Sequence, residues 1–451
     1  MKIVIIGLGT IGKTVLKSLS GKGHHITIID EDKDKVESLI EKYDVFGVVG
    51  NGACIDIQNE ANMEDADLAI VLTHSDEMNV FACLVAKRVG VQNTIARVRN
   101  PAYSKQILDM KDELGISMIV NPEKETASEI FNVINLPSVT KMEHFAKGRA
   151  LLVEIVLDRD CKLLGETLFS MGKKLKTRVL ICAVQRGEEI IIPSGTFIFN
   201  EGDRVHFTSD ANSLRDFLAE INLEKAPFKN IMIIGEGKIP FYLAKELSEK
   251  KYNIKIVVPD KKIAEEFAEE LPRATVVLGN GTQHDLLIEE GIEAMDAFVA
   301  LTDIDEENMI VSMFANKLNV KKTITQIKSD DLYDMLKELG IENNVSPKNI
   351  VANRIISYIR ALANKRGSNI LNLYRLVNNQ VEALEFSAKK KERFIDKPLK
   401  TLTTKQNCLI ACIIHENEVI IPDGNSTISL GDNVIVVTTH KNFDDLTDVF
   451  D

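Results

Sequence analysis

The sequence holds little of what metal, redox or membrane proteins rely on. Its 451 residues include six cysteines, Cys54, Cys83, Cys161, Cys182, Cys408 and Cys412, with no Cys-X-X-Cys pair among them. They read as small apolar core residues in a reducing compartment, which points to the cytoplasm. The eight histidines include no pair at the helical spacing of metal ligands, so no structural metal is expected. No apolar run approaches the roughly 18 residues of a bilayer-spanning helix. The first strand pattern begins at Ile3, so neither a transmembrane helix nor a signal peptide is expected. Positive charge is also short: 55 Lys and Arg against 67 Asp and Glu leave a net charge of −12. That balance argues against nucleic acid or an anionic membrane surface as the main partner. A hydride-transfer enzyme would need an acid/base group over the nicotinamide, yet the chain shows no Ser-Tyr-Lys pattern and no concentrated His or Lys site. A ligand-binding protein without catalytic residues is the expectation, not an enzyme.

What the chain does have is concentrated at its start. Ile3 to Ile6 is an apolar, β-branched run suited to a strand buried on both faces of a parallel sheet. Gly7, Gly9 and Gly12 follow in Gly-X-Gly-X-X-Gly spacing. The first permits a tight turn, the second lets backbone approach a pyrophosphate, and the third lets the next helix pack closely. A helix from about Thr10 buries Val15, Leu16 and Leu19 and points its N–H groups at phosphates. A second strand, Ile26 to Ile29, ends in Asp30, a carboxylate placed for a ribose diol and repelling a 2′-phosphate.

Near residue 230 the chain begins again. IMIIGEG at Ile231–Gly237 matches IVIIGLG at Ile3–Gly9, and Gly279-Asn280-Gly281-Thr282 matches Gly50-Asn51-Gly52-Ala53. FVALTDIDEEN at Phe298–Asn308 matches AIVLTHSDEMN at Ala69–Asn79, and Ser346-Pro347 matches Asn121-Pro122. Behind each copy, IIIPSG at Ile190–Gly195 returns as VIIPDG at Val419–Gly424. The expected fold is a tandem duplication of a Rossmann-like doubly wound parallel-sheet domain followed by a small α+β domain. The expected boundaries are 1–140, 141–221, 229–366 and 367–451, with linkers at Asn222–Phe228 and near Lys365-Arg366-Gly367-Ser368.

Three further loops fall at strand ends in the first copy. Asn51 offers an amide to adenine or ribose. Thr73 offers a hydroxyl to phosphate or sugar, and His74 could stack or hydrogen-bond near a nicotinamide or terminal phosphate, or simply face solvent. Asp76 and Ser75 read as helix caps, with a pure N-cap the plainer role for Asp76. Arg97 and Arg99 end the fifth strand. Arg97 is the better phosphate partner, a surface ion pair being the alternative. The second copy departs: Pro240 stands for Gly12, Val258 for Asp30 with Asp260 the nearest acid, Glu236 for Leu8, and Gln326 for Arg97. Its site is expected to be weaker, altered or empty.

The order of glycine loop, Asp30, GNGA, VLTHSDEMN and IARVRNP, then a small domain with IIPSG and EGDRV, all duplicated, resembles the regulator of potassium conductance (RCK) family. Within it the chain is similar to the peripheral nucleotide-binding subunits of Trk potassium-uptake systems, over essentially its whole length. The resemblance implies binding of NAD(H), and of ATP or ADP, on the larger domains. It also implies assembly into a homo-oligomer, a tetrameric ring or its dimeric half, on the cytoplasmic face of a membrane potassium channel or transporter. Gly7, Leu8, Gly9, Thr10 and Ile11 would then form the pyrophosphate loop. Asp30 would hold the ribose, Asn51 the adenosine side, and Thr73, His74 and Arg97 the rest of the ligand. Gly235 and Gly237 match the loop in the second copy. The alternatives are an NAD-dependent oxidoreductase with duplicated domains and a freestanding soluble nucleotide sensor.

Overall fold

The computed structural model describes the whole chain except residues 101–105, 146–149, 211–212, 226–227, 339–340, 342, 365–369, 377–379, 390–391, 417, 441–442, 444 and 451. The expected junction at residues 365–368 lies outside the described residues, as does Pro227 of the first linker. Strands β1 (Lys2–Ile6), β2 (His25–Asp30), β3 (Phe46–Val49), β4 (Leu68–Val71), β5 (Asn93–Arg97) and β6 (Met118–Val120) alternate with helices α1 (Thr10–Leu19), α2 (Lys33–Tyr43), α3 (Ile55–Glu60) and α4 (Asp76–Val89). The sheet is parallel, in the order β3-β2-β1-β4-β5-β6. This is the expected doubly wound architecture, and its crevice opens between β1 and β4, where the strand order reverses.

The second copy repeats that order with strands Ala274–Leu278, Asn253–Val258, Asn230–Ile234, Ala297–Ala300, Lys322–Gln326 and Asn343–Val345. In both, the central strand is apolar and buried after its first residue, as burial on two faces demands.

Two glycines set the geometry at the end of β1. Gly7 sits at φ +93°, and a Cβ there would lie 2.8 Å from the Leu72 carbonyl carbon and the Thr73 nitrogen. At Gly12 a Cβ would lie 2.1 Å from the Gly7 oxygen, so α1 can start close to the strand only with hydrogen at that position. The second copy solves the problem differently. Gly235 takes φ +136°, and Pro240 packs its ring against that glycine from inside the helix Lys238–Glu249. Proline needs no N–H partner in a first turn.

A helix follows β6 directly and runs Pro122–Asn135. Proline presets its first position, and Asn121 Oδ1 accepts the Lys124 N–H at 2.9 Å as a cap. A strand at Val139–Phe145 joins the first small sheet, where the sequence carries no sustained apolar run to announce it.

The chain divides into two compact units that pair like with like. One comprises Met1–Phe131 and Phe228–Ile356, the other Asn132–Pro227 and Ser357–Asp451. In the second unit each copy contributes a five-stranded sheet of the same topology, antiparallel in its pairings. The first is ordered Glu189–Ile191, Leu180–Arg186, Arg204–Asp210, Ala150–Val156, Val139–Phe145. Ala150, Leu152 and Cys182 of one sheet share an apolar layer with Ala383, Cys412 and Val437 of the other. The Thr208 hydroxyl donates to the Ala411 carbonyl at 2.8 Å across it.

All six cysteines are free, and five are buried as expected. Burial pushes the Cys83 thiol up to about 12. Cys54 differs: it is exposed, at the N-cap of α3. Among the described residues no helix is long and apolar enough to cross a membrane.

The Gly12–Gly7 contact gives a stability prediction. Replacing Gly12 with Ala should cost about 1–3 kcal/mol by overpacking, read as a lower urea midpoint in the far-ultraviolet circular dichroism of the full chain. An unchanged midpoint would contradict the contact. Gly9→Ala, where an added Cβ meets nothing within 4 Å, is the control.

Candidate functional site

The glycine loop is held in place by the residue expected to hold ribose. Asp30 Oδ2 accepts the Leu8 N–H at 2.6 Å, and Oδ1 accepts the Asp32 N–H at 3.0 Å. A carboxylate has about four lone-pair sites, so acceptor capacity remains for sugar hydroxyls. Leu8 is fully buried, and its contribution is to anchor the loop. Gly9 and Thr10 are exposed at the start of α1, which has no acid in its first turn. The N–H groups of that turn have no intrahelical acceptor, so they and the helix dipole form an anion-binding end.

Beside this loop, Asn51 shapes the turn after β3. Its Oδ1 accepts the Ala53 N–H at 2.9 Å, and the Gly50 N–H donates to the Asp30 carbonyl at 2.9 Å. Gln58, fully buried, props the turn from behind: its Nε2 donates to the Gly52 carbonyl at 2.8 Å and to the Ala82 carbonyl of α4 at 3.1 Å.

Two residues of α4 tie the remaining loops together. Asn79 is fully buried. Its Oδ1 accepts from the Thr73 N–H at 2.8 Å and the Thr73 hydroxyl at 2.6 Å, and its Nδ2 donates to the Arg97 carbonyl at 2.9 Å. Asp76 is not the helix cap that its position suggests. Ser75 caps α4 by accepting the Met78 N–H, which frees the Asp76 carboxylate to accept the Arg99 and Asn100 N–H groups, each at 2.8 Å. His74 is exposed, and its carbonyl accepts from the Arg99 guanidinium. Asn308 and Asp305 repeat both clamps in the second copy, on Thr302, Gln326, Lys328 and Ser329. Their recurrence in the duplicated LTHSDEMN and LTDIDEEN stretches was the signal available from sequence.

Arg97 is a partly compensated charge: its Nη1 donates to the Thr73 carbonyl at 3.5 Å. Its side chain is 17% exposed, its nearest carboxylate is Glu123 at 3.8 Å, and its buried Nε has no partner. Burial and the neighbouring Arg99 guanidinium both lower its proton affinity. A desolvated cation so placed gains from any anion that reaches it.

A cavity of about 410 Å³ opens at this point, and both copies build it. The first contributes Gly9, Thr10, Ile11, Leu72, Arg97, Arg99, Pro122 and Glu123. The second contributes Gly237, Lys238, Ile239, Pro240, Leu301, Asp303, Gln326, Lys328, Pro347 and Lys348. The two glycine loops therefore line one space. Gly9, Thr10, Ile11, Arg97 and Gly237 of the expected residues line it. Gly7, Leu8, Asp30, Asn51, Thr73, His74 and Gly235 are not among the lining residues; Asp30 closes β2 and the others lie at or just beyond strand ends. Glu123, Lys328 and Lys348 were not anticipated, because nothing in one copy's pattern says that the other will face it.

In the second copy the equivalent of Asp30 is the buried Val258, which offers the loop no carboxylate. Asp260 does not replace it: its Oδ1 accepts the Ile263 N–H as a helix cap at 3.0 Å, the role Asp32 plays in the first copy.

Replacing Asn79 with Ala should unfasten both loops, since buried groups left unpaired cost about 1–3 kcal/mol each. Faster hydrogen exchange at the Thr73 amide is the expected readout. Unchanged protection there would show that Asn79 does not hold the loop.

The TrkA-N domain family matches residues 3–122 and 231–347, and the TrkA-C domain family matches residues 152–222 and 383–451. The Methanosarcina mazei protein called Trk system potassium uptake protein TrkA homolog 1 is 32% identical over 444 residues, covering 97% of each chain. Among solved structures, the GsuK RCK domain superposes with a TM-score of 0.65 at 18% identity, covering 97% of this chain and 92% of that one. The GsuK channel bound to NAD gives the same TM-score at 17% identity, covering 97% and 76%. With both domain families matched twice in the order its duplication predicts, the chain belongs to the TrkA family of Trk potassium-uptake proteins.

Proposed function

We propose that this chain is the cytoplasmic regulatory subunit of a Trk-type potassium-uptake transporter. It binds NAD(H), and also ATP or ADP, at the first glycine loop and passes occupancy to a membrane partner. The observation that carries the proposal is Arg97, buried and undercompensated at the cavity where α1 presents its free N–H groups. Gly7, Leu8, Gly9, Thr10 and Ile11 cradle the phosphates, Asp30 takes the ribose and Asn51 the adenosine side. Thr73 orients Arg97 through Asn79, and His74 stands at the exposed edge. That a related fold has been solved as a channel bound to NAD supports the choice of ligand.

The chain works by differential binding, not turnover. A ligand shifts a gate only if it binds one conformation better than another, and coupling of about 1–3 kcal/mol per site is typical. In a homo-oligomeric ring, a tetramer or its dimeric half, such increments add across sites. A cavity lined by both copies is the element that a ligand's phosphates would close, because neutralising Arg97 also draws on cations from the opposite loop. Docking on the inner face of the membrane then comes from the transporter partner.

Replacing Arg97 with Gln, the residue of the second copy, should weaken NADH and ADP binding to the full chain about 10- to 100-fold, the worth of a charge-assisted hydrogen bond pair. Calorimetry reads this directly, and unaltered affinity would remove Arg97 from the site. The regulatory role is read by capture from solubilised membranes: a Trk-type transporter should co-purify in a nucleotide-dependent way. Steady consumption of NADH with a metabolite would favour an oxidoreductase instead.

A further inference from the structure

We propose that the second glycine loop is no nucleotide site of its own. It is a phosphate-recognition element that completes the first copy's site from across the cavity, and Lys328 and Lys348 select nucleotides ending in free phosphates over dinucleotides. This rests on the proposed nucleotide binding at the first loop.

The second copy has lost what would hold a nucleoside. Val258 replaces the ribose carboxylate, Glu236 puts a carboxylate in the loop itself, and the buried Leu287 stands where Gln58 props the adenosine-side turn. What it has gained is positive charge at helix N-termini. Lys238 opens the helix Lys238–Glu249, and Lys348 is the second residue of Pro347–Asn364. Neither first turn contains an acid, whereas the equivalent helix of the first copy starts with Glu123 and Glu125. A lysine in a first turn faces the positive end of its own helix, an arrangement that favours an outside anion. Lys348 is only 12% exposed, so the mismatch is barely screened.

Both lysines rest on partners they can leave. Lys348 Nζ lies 2.7 Å from Asp330, itself 56% exposed and shared with Lys17 at 3.7 Å, and Lys328 Nζ lies 2.7 Å from the carboxylate of Asp303, 92% exposed, and donates to its carbonyl at 2.9 Å. Ion pairs with such exposed acids hold weakly. The cavity lining as a whole carries Arg97, Arg99, Lys238, Lys328 and Lys348 against Glu123 and Asp303, in a chain of net charge −12. Gln326, 3% exposed in the same lining, has an unpartnered amide oxygen, a neutral polar group at the position that Arg97 holds in the first copy. Enclosed walls with one sign of charge focus that potential on the ligand.

This surplus fits a terminal phosphate better than an internal one. A terminal phosphate carries about −1.5 to −2 charge at neutral pH and three acceptor oxygens. Each phosphate of a dinucleotide carries one ester and the shared anhydride bond, leaving one negative charge apiece and a second nucleoside attached. At about 410 Å³ the cavity has the size of a small-molecule site.

The test uses the full chain and calorimetric titration with ATP, ADP and NADH. Lys328→Gln combined with Lys348→Gln should weaken ATP about 10- to 100-fold and leave NADH within about threefold. Lys328→Arg with Lys348→Arg should retain ATP binding. Equal losses for ATP and NADH, or no loss for ATP, would overturn the proposal. If the wild-type chain takes up none of the three nucleotides, the first-loop reading itself fails. Should the double Gln variant not fold, wild-type salt dependence decides: ATP affinity must fall more steeply with ionic strength than NADH affinity, and parallel slopes would contradict the proposal.

Discussion

A guanidinium held out of water without a full counter-charge is the constraint around which the first unit is arranged. Arg97 reaches that state because β5 ends beneath the glycine loop, and because Asn79 and Asp76 fix the loops on either side of it. Glu123 pairs with it loosely, at 3.8 Å, and is shared with Arg99, 3.9 Å away. The cost of burying such a charge is offset in part by Glu123 and the Thr73 carbonyl, and an anion would offset more of it. A phosphate is matched by the guanidinium's fork and by the open N-terminus of α1. Structure and proposed function thus meet in one electrostatic imbalance, and it is local to a chain that is otherwise acidic.

The duplication turns this imbalance into something two-sided. Equivalent loops face each other within one unit, yet their chemistry has diverged: Arg97 against Gln326, Arg99 against Lys328, Glu123 against Lys348. The clamps did not diverge. Asn79 and Asn308 hold the same backbone groups, as do Asp76 and Asp305. The framework that orients the cavity walls is therefore shared, and the charges it displays are not. The other unit pairs its two sheets through an apolar layer containing Cys182 and Cys412, so like copies associate in both units.

The sheet and its loops were legible in the sequence because their determinants are local. A β-branched run, glycines at fixed offsets and an acid at the next strand's end specify β1, α1 and β2 almost alone. Gly12 shows why the spacing is strict, since the Gly7 carbonyl lies where a Cβ would go. The roles that escaped are those that depend on distant partners. Asp76 looks like a cap because it opens a helix, but its acceptors serve Arg99 and Asn100, 23 and 24 residues on. Lys348 looks like an ordinary surface lysine until the other copy's loop is placed opposite it. Val139–Phe145 joins its sheet by pairing with Ala150–Val156, with too mixed a pattern to declare itself.

The most direct test of the central claim, that a nucleotide at the first loop engages both walls of the cavity, is hydrogen exchange of the full chain with and without saturating ATP. Slowed exchange at Thr10–Lys13 together with slowed exchange at Lys238–Phe241 is the predicted result. Exchange unchanged at both loops, with ATP present in excess, would contradict it.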